Sequence, residues 1–279
     1  MNAANTVVSN DGTPLACWRE GQGEPLLLVH GGLCDHLAWY FAAPLLAQHF
    51  TVWTYDRRGH GQSGERLPHS VAREFEDVLA VLGAIGEEAH LLGHSAGAVL
   101  ALGAAERAAG SGPGLRSLIV YDPPFIVGGE RERPSPSILR EIERLLAAGD
   151  RDQALRIAIH ETVDLSDAEI DAMQDSSGWE HLRAAASAIP GDWKIWDERF
   201  DPKHLARIAA RSLVLMGSTS PAWMRASAKA VAAALPHAQL VTIEGQAHSA
   251  MITAPELFAG EVIRFAAQDG HHEASRGVI

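Results

Sequence analysis

The chain has 279 residues, enough for one sizeable domain or a domain carrying an insertion. Hydrophobic residues make up 47% and charged residues 21%, the balance of a soluble globular protein. The formal net charge of −12 argues against nucleic acid or an anionic membrane surface as a partner, because both call for basic patches. The opening Met1-Asn2-Ala3-Ala4-Asn5 lacks the basic start and apolar stretch of a secretory signal, and no apolar run reaches membrane-spanning length. Cys17 and Cys34 show no metal-ligand spacing. These features lead us to expect a cytoplasmic protein with reduced thiols, a monomer or homodimer, with no metal site.

In chain order, residues 5–9 and 14–19 read as two strands of a hairpin, turning at Asn10-Asp11-Gly12. Pro25-Leu26-Leu27-Leu28-Val29 is wholly apolar, the pattern of a strand buried on both faces. Residues 37–48 read as a helix with Asp35 as its N-cap, and residues 50–55 as the next strand. Residues 70–82 follow as a helix capped near Ser70, then residues 89–92 as a strand. Residues 115–121, 212–216 and 240–243 complete the strands, and residues 255–267 close as a helix. Gly110-Ser111-Gly112-Pro113-Gly114 reads as a surface loop. The polar tail after Gln268, with His271 and His272, reads as frayed. Strands alternating with helices predict an α/β fold with a mostly parallel sheet of about eight strands covered on both faces.

One stretch breaks the alternation. Residues 124–205 show helical patterns, at 137–148, 150–162 and 167–174, but no strand. We read them as a helical cap, with residues 1–123 and 206–279 as the core. Trp179, Trp193 and Trp196 lie in this insert, either gluing it to the core or lining a pocket.

The chemistry concentrates at Gly93-His94-Ser95-Ala96-Gly97. A Gly-x-Ser-x-Gly run between a strand and a helix presents serine on a sharp turn above the sheet edge. Serine is a weak nucleophile and needs a base. Of the fourteen histidines, His248 follows the last strand, on the sheet edge that the Ser95 turn shares. An oxyanion needs two N–H donors. Ala96, after the nucleophile, offers one. The His30-Gly31-Gly32-Leu33 loop offers the other, assigned to Gly32 with Gly31 and Leu33 as neighbouring alternatives.

Four segments in this order resemble the α/β-hydrolase superfamily: His30-Gly31-Gly32, the run from Asp56 to Gly64 (DRRGHGQSG), Gly93-His94-Ser95-Ala96-Gly97, and Gly245-Gln246-Ala247-His248. The resemblance implies that Asp56 and Arg57 brace a loop. It also implies a triad acid in the loop after the penultimate strand. That loop reads Met216-Gly217-Ser218-Thr219-Ser220-Pro221, and Ser220 stands where the acid is expected. Some members of the superfamily, certain lactone hydrolases among them, carry the acid one strand earlier. Here that position is Asp122, in Val120-Tyr121-Asp122-Pro123-Pro124. The alternatives are a cap carboxylate, Asp197 or Asp201, or a Ser-His pair with no acid.

The resulting expectation is a serine hydrolase cleaving a small apolar carboxylic ester or lactone through an acyl-enzyme. Ser95, His248 and Asp122 would be the triad, and Gly32 and Ala96 the oxyanion hole. Candidate substrate contacts are Leu33, Trp179, Trp193 and Trp223. Trp39, Met224 and Cys34 lie near the same loops, either lining the pocket or packing beneath it. This chemistry asks for no metal or organic cofactor. The rival expectations are a carbon–carbon bond hydrolase or perhydrolase on the same scaffold, and a ligand sensor without turnover.

Overall fold

The structure, a computed structural model, describes residues 5–268 other than 112, 113, 130, 164 and 177. Its first half runs β1 (Asn5–Val8), β2 (Pro14–Gly21), β3 (Glu24–Val29), a 3-10 turn (His36–Trp39), α1 (Ala43–Leu46), β4 (Phe50–Tyr55), α2 (Val71–Ile85), β5 (Ala89–His94), α3 (Ala96–Ser111) and β6 (Leu115–Tyr121). Six helices follow: α4 (Pro136–Ala147), α5 (Arg151–Val163), α6 (Asp167–Gln174), α7 (Gly178–Ala185), α8 (Ile189–Trp196) and α9 (Pro202–Leu205). The chain then returns to the sheet through β7 (Arg211–Gly217), α10 (Ala222–Ala234), β8 (Ala238–Ile243), α11 (Ala250–Thr253) and α12 (Pro255–Ala267).

The eight strands form one sheet in the order β1-β2-β4-β3-β5-β6-β7-β8. β1 and β2 pair antiparallel, as does β2 with β4; every later pairing is parallel. The alternation of side chains along each strand divides the core in two. Leu27, Val29, Leu91, Leu118, Val120 and Val214 join the apolar cluster on the face covered by α2, α3 and α10. Their neighbours Leu26, Leu28, Leu92, Ile119, Leu213 and Leu215 join the cluster under α1 and α12. Each fully buried leucine contributes roughly 1.5–3 kcal/mol, so the central strands need apolar residues on both faces.

Between β6 and β7 no strand occurs among the described residues. The helices there have a third apolar cluster of their own, including Ile142, Leu155, Ile170 and Trp179. Leu33, from the loop after β3, is inserted into that cluster.

The helix predicted over residues 37–48 is broken into the 3-10 turn and α1. Asp35 caps the first piece, its carboxylate accepting from Leu37 N at 2.7 Å. Pro44 has no N–H to continue a helix and sits instead in the first turn of α1. α3 runs through Ser111, so it takes in the start of the predicted 110–114 loop, while Gly112 and Pro113 lie outside the described residues. The predicted tail with His271 and His272 lies outside them as well. Among the described residues no helix is long and apolar enough to cross a membrane. Cys17 and Cys34 are both free thiols.

Candidate active site

β5 ends at His94 and α3 begins at Ala96, which leaves Ser95 alone at the corner. The corner is tight because glycine flanks it. A β-carbon on Gly93 would lie 2.2 Å from Gly97 O, and one on Gly97 would lie 2.3 Å from Val29 O. Ser95 itself has a left-handed backbone, φ 53°, and its N–H donates to Tyr121 O at 3.0 Å. Such a conformation costs a residue with a β-carbon about 1–2 kcal/mol. Among the described residues only three non-glycine residues adopt it: Leu33, Ser95 and Asp122. They follow β3, β5 and β6, three adjacent strands at the centre of the sheet. Backbone strain of this kind collects where function overrides local preference.

Asp122 is fully buried just past the end of β6, its N–H donating to Leu215 O at 3.0 Å. Its Oδ2 lies 3.2 Å from His248 Nδ1 and accepts from Ser220 Oγ at 2.6 Å. With Nδ1–H donating to the carboxylate, Nε2 of His248 carries the ring's lone pair. Ser220, standing where the family acid is expected, is therefore a donor to the carboxylate one strand away. Asp197 and Asp201 are engaged elsewhere. Asp197 pairs with Arg133 at 2.8 Å, and Asp201 caps α9 through Lys203 N at 2.9 Å.

Two residues that the sequence reading gave no role steady His248. The Tyr121 hydroxyl donates to Ala247 O and accepts from Ala250 N at 3.2 Å, so it grips the loop on both sides of the histidine. His94 Nε2–H donates to His248 O at 2.8 Å, and the two rings lie 4.5 Å apart. Burial, with His248 adding to it, holds the His94 imidazole well below its ordinary range, so it is neutral. Both residues sit beside a motif residue in sequence, Tyr121 before Asp122 and His94 before Ser95. That adjacency was the only signal available.

The loop after β3 lies against the elbow: a β-carbon on Gly31 would stand 3.1 Å from Ser95 Cβ. Ala96 opens α3, where first-turn N–H groups have no acceptor within the helix. Gly32 faces the insert, and a β-carbon there would meet Trp196 Cζ2 at 2.9 Å and Asp192 Oδ2 at 3.0 Å. The N–H of Leu33 is taken by Asp192 Oδ2 at 2.8 Å. Asp56 accepts from His36 N, His36 Nδ1 and Gln62 N, and so ties the loop it begins to the 3-10 turn that follows β3.

A narrow cleft opens between the insert and the core, lined by Trp193, Trp196, Trp223 and Pro124, with Arg131 and Arg133. Trp196 connects it to Gly32. Two of the predicted substrate contacts lie elsewhere. Trp179 is buried inside the insert, where its Nε1–H donates to Asp152 at 2.7 Å. Leu33 points into the same apolar interior. Both are large apolar side chains drawn into the insert's own core, and neither lines the cleft. Trp39 and Met224 are buried beneath the loops, Trp39 against Phe258. Burial, reinforced by Asp192, pushes the Cys34 thiol up to about 12, so it is not a ready nucleophile.

The sequence profile of the alpha/beta hydrolase family matches residues 26–261, and the chain belongs to that family. Over 118 residues it is 38% identical to N-formylmaleamate deformylase of Pseudomonas putida, a match covering 41% of this chain and 43% of that protein. Over 146 residues it is 34% identical to a pimeloyl-[acyl-carrier protein] methyl ester esterase of Aeromonas hydrophila, covering 49% of this chain and 53% of the relative. The matches thus span about half the length of these curated relatives or less. Among solved structures, an alpha/beta hydrolase of Sphaerobacter thermophilus superposes with a TM-score of 0.86 at 37% identity, over 94% of this chain and 99% of that one. The enol-lactonase of Burkholderia xenovorans shares the fold, with a TM-score of 0.76 at 19% identity over 94% of this chain and 100% of that chain.

Proposed function

We propose that the protein is a serine hydrolase that cleaves small carboxylic esters or lactones through an acyl-enzyme. Ser95 Oγ attacks the carbonyl carbon and passes its proton to His248 Nε2. The oxyanion is held by the N–H groups of Gly32 and Ala96. His248 then returns the proton to the departing alcohol oxygen, and the acyl group stays on Ser95. Water enters, gives a proton to His248 and attacks the ester carbon. Collapse frees the acid and restores the Ser95 hydroxyl. Asp122 keeps the imidazole in the tautomer this requires and stabilises the imidazolium. The observation that carries the reading is the 3.2 Å contact of His248 Nδ1 with Asp122, on a chain that has no carboxylate in the usual loop. The tryptophan-lined cleft favours an apolar acyl or alcohol group of modest size.

A second reading, cleavage of a formyl amide, is supported by the 38% identity to a deformylase. A substrate panel separates the two. Wild type and Ser95→Ala are assayed on short-chain p-nitrophenyl esters, on γ- and δ-lactones and on N-formyl amides. We expect Ser95-dependent turnover on esters or lactones to exceed that on amides. Turnover confined to amides would replace the ester reading. Lack of Ser95-dependent turnover on all three would end both.

A further inference from the structure

The insert supplies one charged side chain that reaches the oxyanion loop. Asp192, on α8, is fully buried, although its charge would ordinarily keep it in water. Its Oδ2 accepts from Leu33 N at 2.8 Å and lies 3.3 Å from His60 Nε2. Its Oδ1 lies 2.9 Å from Arg57 Nη2. Arg57 is buried too, forked onto Glu74 at 2.8 and 3.0 Å, and its third nitrogen, Nη1, donates to Gly31 O at 3.0 Å. His30 Nδ1–H donates to the same carbonyl at 2.8 Å.

These contacts bracket Gly32. Its N–H belongs to the peptide unit whose carbonyl is Gly31 O. In a planar trans peptide the N–H points opposite to the C=O. Arg57 and His30 hold that carbonyl, so they aim the Gly32 N–H away from the guanidinium. On the other side, Asp192 holds the Leu33 N–H and with it the left-handed turn at Leu33, φ 56°. A larger residue at 32 would collide with Asp192 and Trp196, so α8 sits directly on this peptide. Burial pushes the Asp192 carboxyl up, but His60 and Arg57 outweigh it and hold it well below the usual carboxylate range, so the group is charged.

We propose that Asp192 is the positioning residue of the oxyanion loop: through Leu33 N–H and Arg57 it fixes the direction of the Gly32 N–H, so that part of the oxyanion hole is built by the insert. This rests on the assignment of Ser95 and Gly32 above. It implies that any displacement of α8 from the core disarms the site without touching Ser95, His248 or Asp122.

The test uses the full chain and two variants. Asp192→Ala removes the acceptor. Asp192→Asn is isosteric, and its amide oxygen still accepts from Leu33 N–H, although the charge that pairs with Arg57 is gone. Two quantities are read well below each variant's unfolding temperature. One is the bimolecular rate of Ser95 phosphonylation by a fluorophosphonate, followed by mass spectrometry, because that adduct also seats an oxygen in the hole. The other is kcat and KM on p-nitrophenyl acetate. Loss of one oxyanion donor lowers kcat by about 100–1,000-fold. We expect Asp192→Ala to approach about a 100-fold loss in kcat and in phosphonylation rate, with KM changed less than about threefold. We expect Asp192→Asn to recover at least about tenfold of that loss. Wild-type values of kcat and labelling rate in folded Asp192→Asn and Asp192→Ala, with only the unfolding temperature lowered, would overturn the inference. If Asp192→Ala does not fold, Asp192→Asn alone decides, since the proposal requires it to label and turn over measurably more slowly than wild type. Wild type that is not labelled at Ser95 would instead defeat the hydrolase reading.

Discussion

At Asp122 one carboxylate oxygen serves both an imidazole and a hydroxyl, His248 at 3.2 Å and Ser220 at 2.6 Å. A buried carboxylate without such partners would be unstable, and the left-handed backbone at this residue adds strain of its own. The arrangement supports the proposal that Asp122, after β6, takes the role that the family's sequence pattern places after β7. Asp122→Asn keeps the shape, but its amide can present an N–H to His248 and favour the wrong tautomer. We expect kcat to fall by about 10⁴-fold, as for triad acids in general. Asp197→Asn and Asp201→Asn, whose carboxylates face Arg133 and the start of α9, are expected to stay within about threefold of wild type. Steady-state kinetics of the three on one ester decides between them, and a steep loss in Asp197→Asn or Asp201→Asn with Asp122→Asn near normal would contradict the assignment. The positions of Ser95, His248 and Asp122 at one edge of the sheet were legible in the sequence because each follows a strand of recognisable pattern. Tyr121 and His94 were not. Their contacts with the His248 loop span 126 and 154 residues, and no local pattern reports such distances.

Among the elements, the strands were the most legible. A run such as Leu26-Leu27-Leu28-Val29 has no exposed face, and the two core clusters divide it residue by residue as the period of two requires. The segment over 37–48 was less so. Its composition suits one helix, but Pro44 and the Asp35 cap impose two short pieces. The interior of the insert was the least legible. Trp179 and Trp193 look alike in sequence and both pack into the insert's core, and only the packing of α5, α7 and α8 leaves Trp193 with a face on the cleft as well. Asp192 gave no sign at all, since its partner Leu33 lies 159 residues away. The parallel pairing of β6 with β7 does support a prediction at this scale. It places Ser220 Oγ on the very carboxylate oxygen that faces His248. A carboxylate at 220 can therefore reach the imidazole from the neighbouring strand end. Introducing Ser220→Asp into Asp122→Asn is expected to restore at least about tenfold of the lost kcat. A folded double variant no faster than Asp122→Asn would show that the two strand ends are not interchangeable here.

For the molecule as a whole, the insert and core are joined by buried charge as well as by apolar packing. Glu74, Arg57 and Asp192 form a continuous chain from α2 to α8. Burial pushes Glu74 up, but Arg57 and His69 outweigh it and hold its carboxyl at about 2 against the ordinary 4.5. The unfolded chain therefore takes up this proton at a higher pH than the folded one. The stabilisation is fully present above pH 4.5 and is lost as pH falls toward 2. The shift corresponds to about 3 kcal/mol at neutral pH. His94 acts in the same direction. Burial holds it neutral in the folded state, while the unfolded chain protonates it near 6.5, so stability declines as pH drops below that value. Urea unfolding midpoints are expected to fall steadily from pH 6.5 toward pH 2. Glu74→Gln leaves Arg57 buried with one carboxylate fewer. It is expected to lose roughly 3 kcal/mol at pH 7 and to show a flatter midpoint profile below pH 4.5. A wild-type profile that is flat from pH 6.5 to 3 would contradict this account of how the two parts are held.

As a nucleophile, Ser95 would carry the acyl group between the two halves of the reaction. Intact-mass and peptide mass spectrometry of the protein, quenched during turnover of a p-nitrophenyl ester, tests this directly. An acyl adduct is expected on the peptide containing Ser95, and in Ser95→Ala both the adduct and turnover are expected to be absent. Ester hydrolysis that persists in Ser95→Ala, or that proceeds in wild type with the acyl group on another residue, would contradict it.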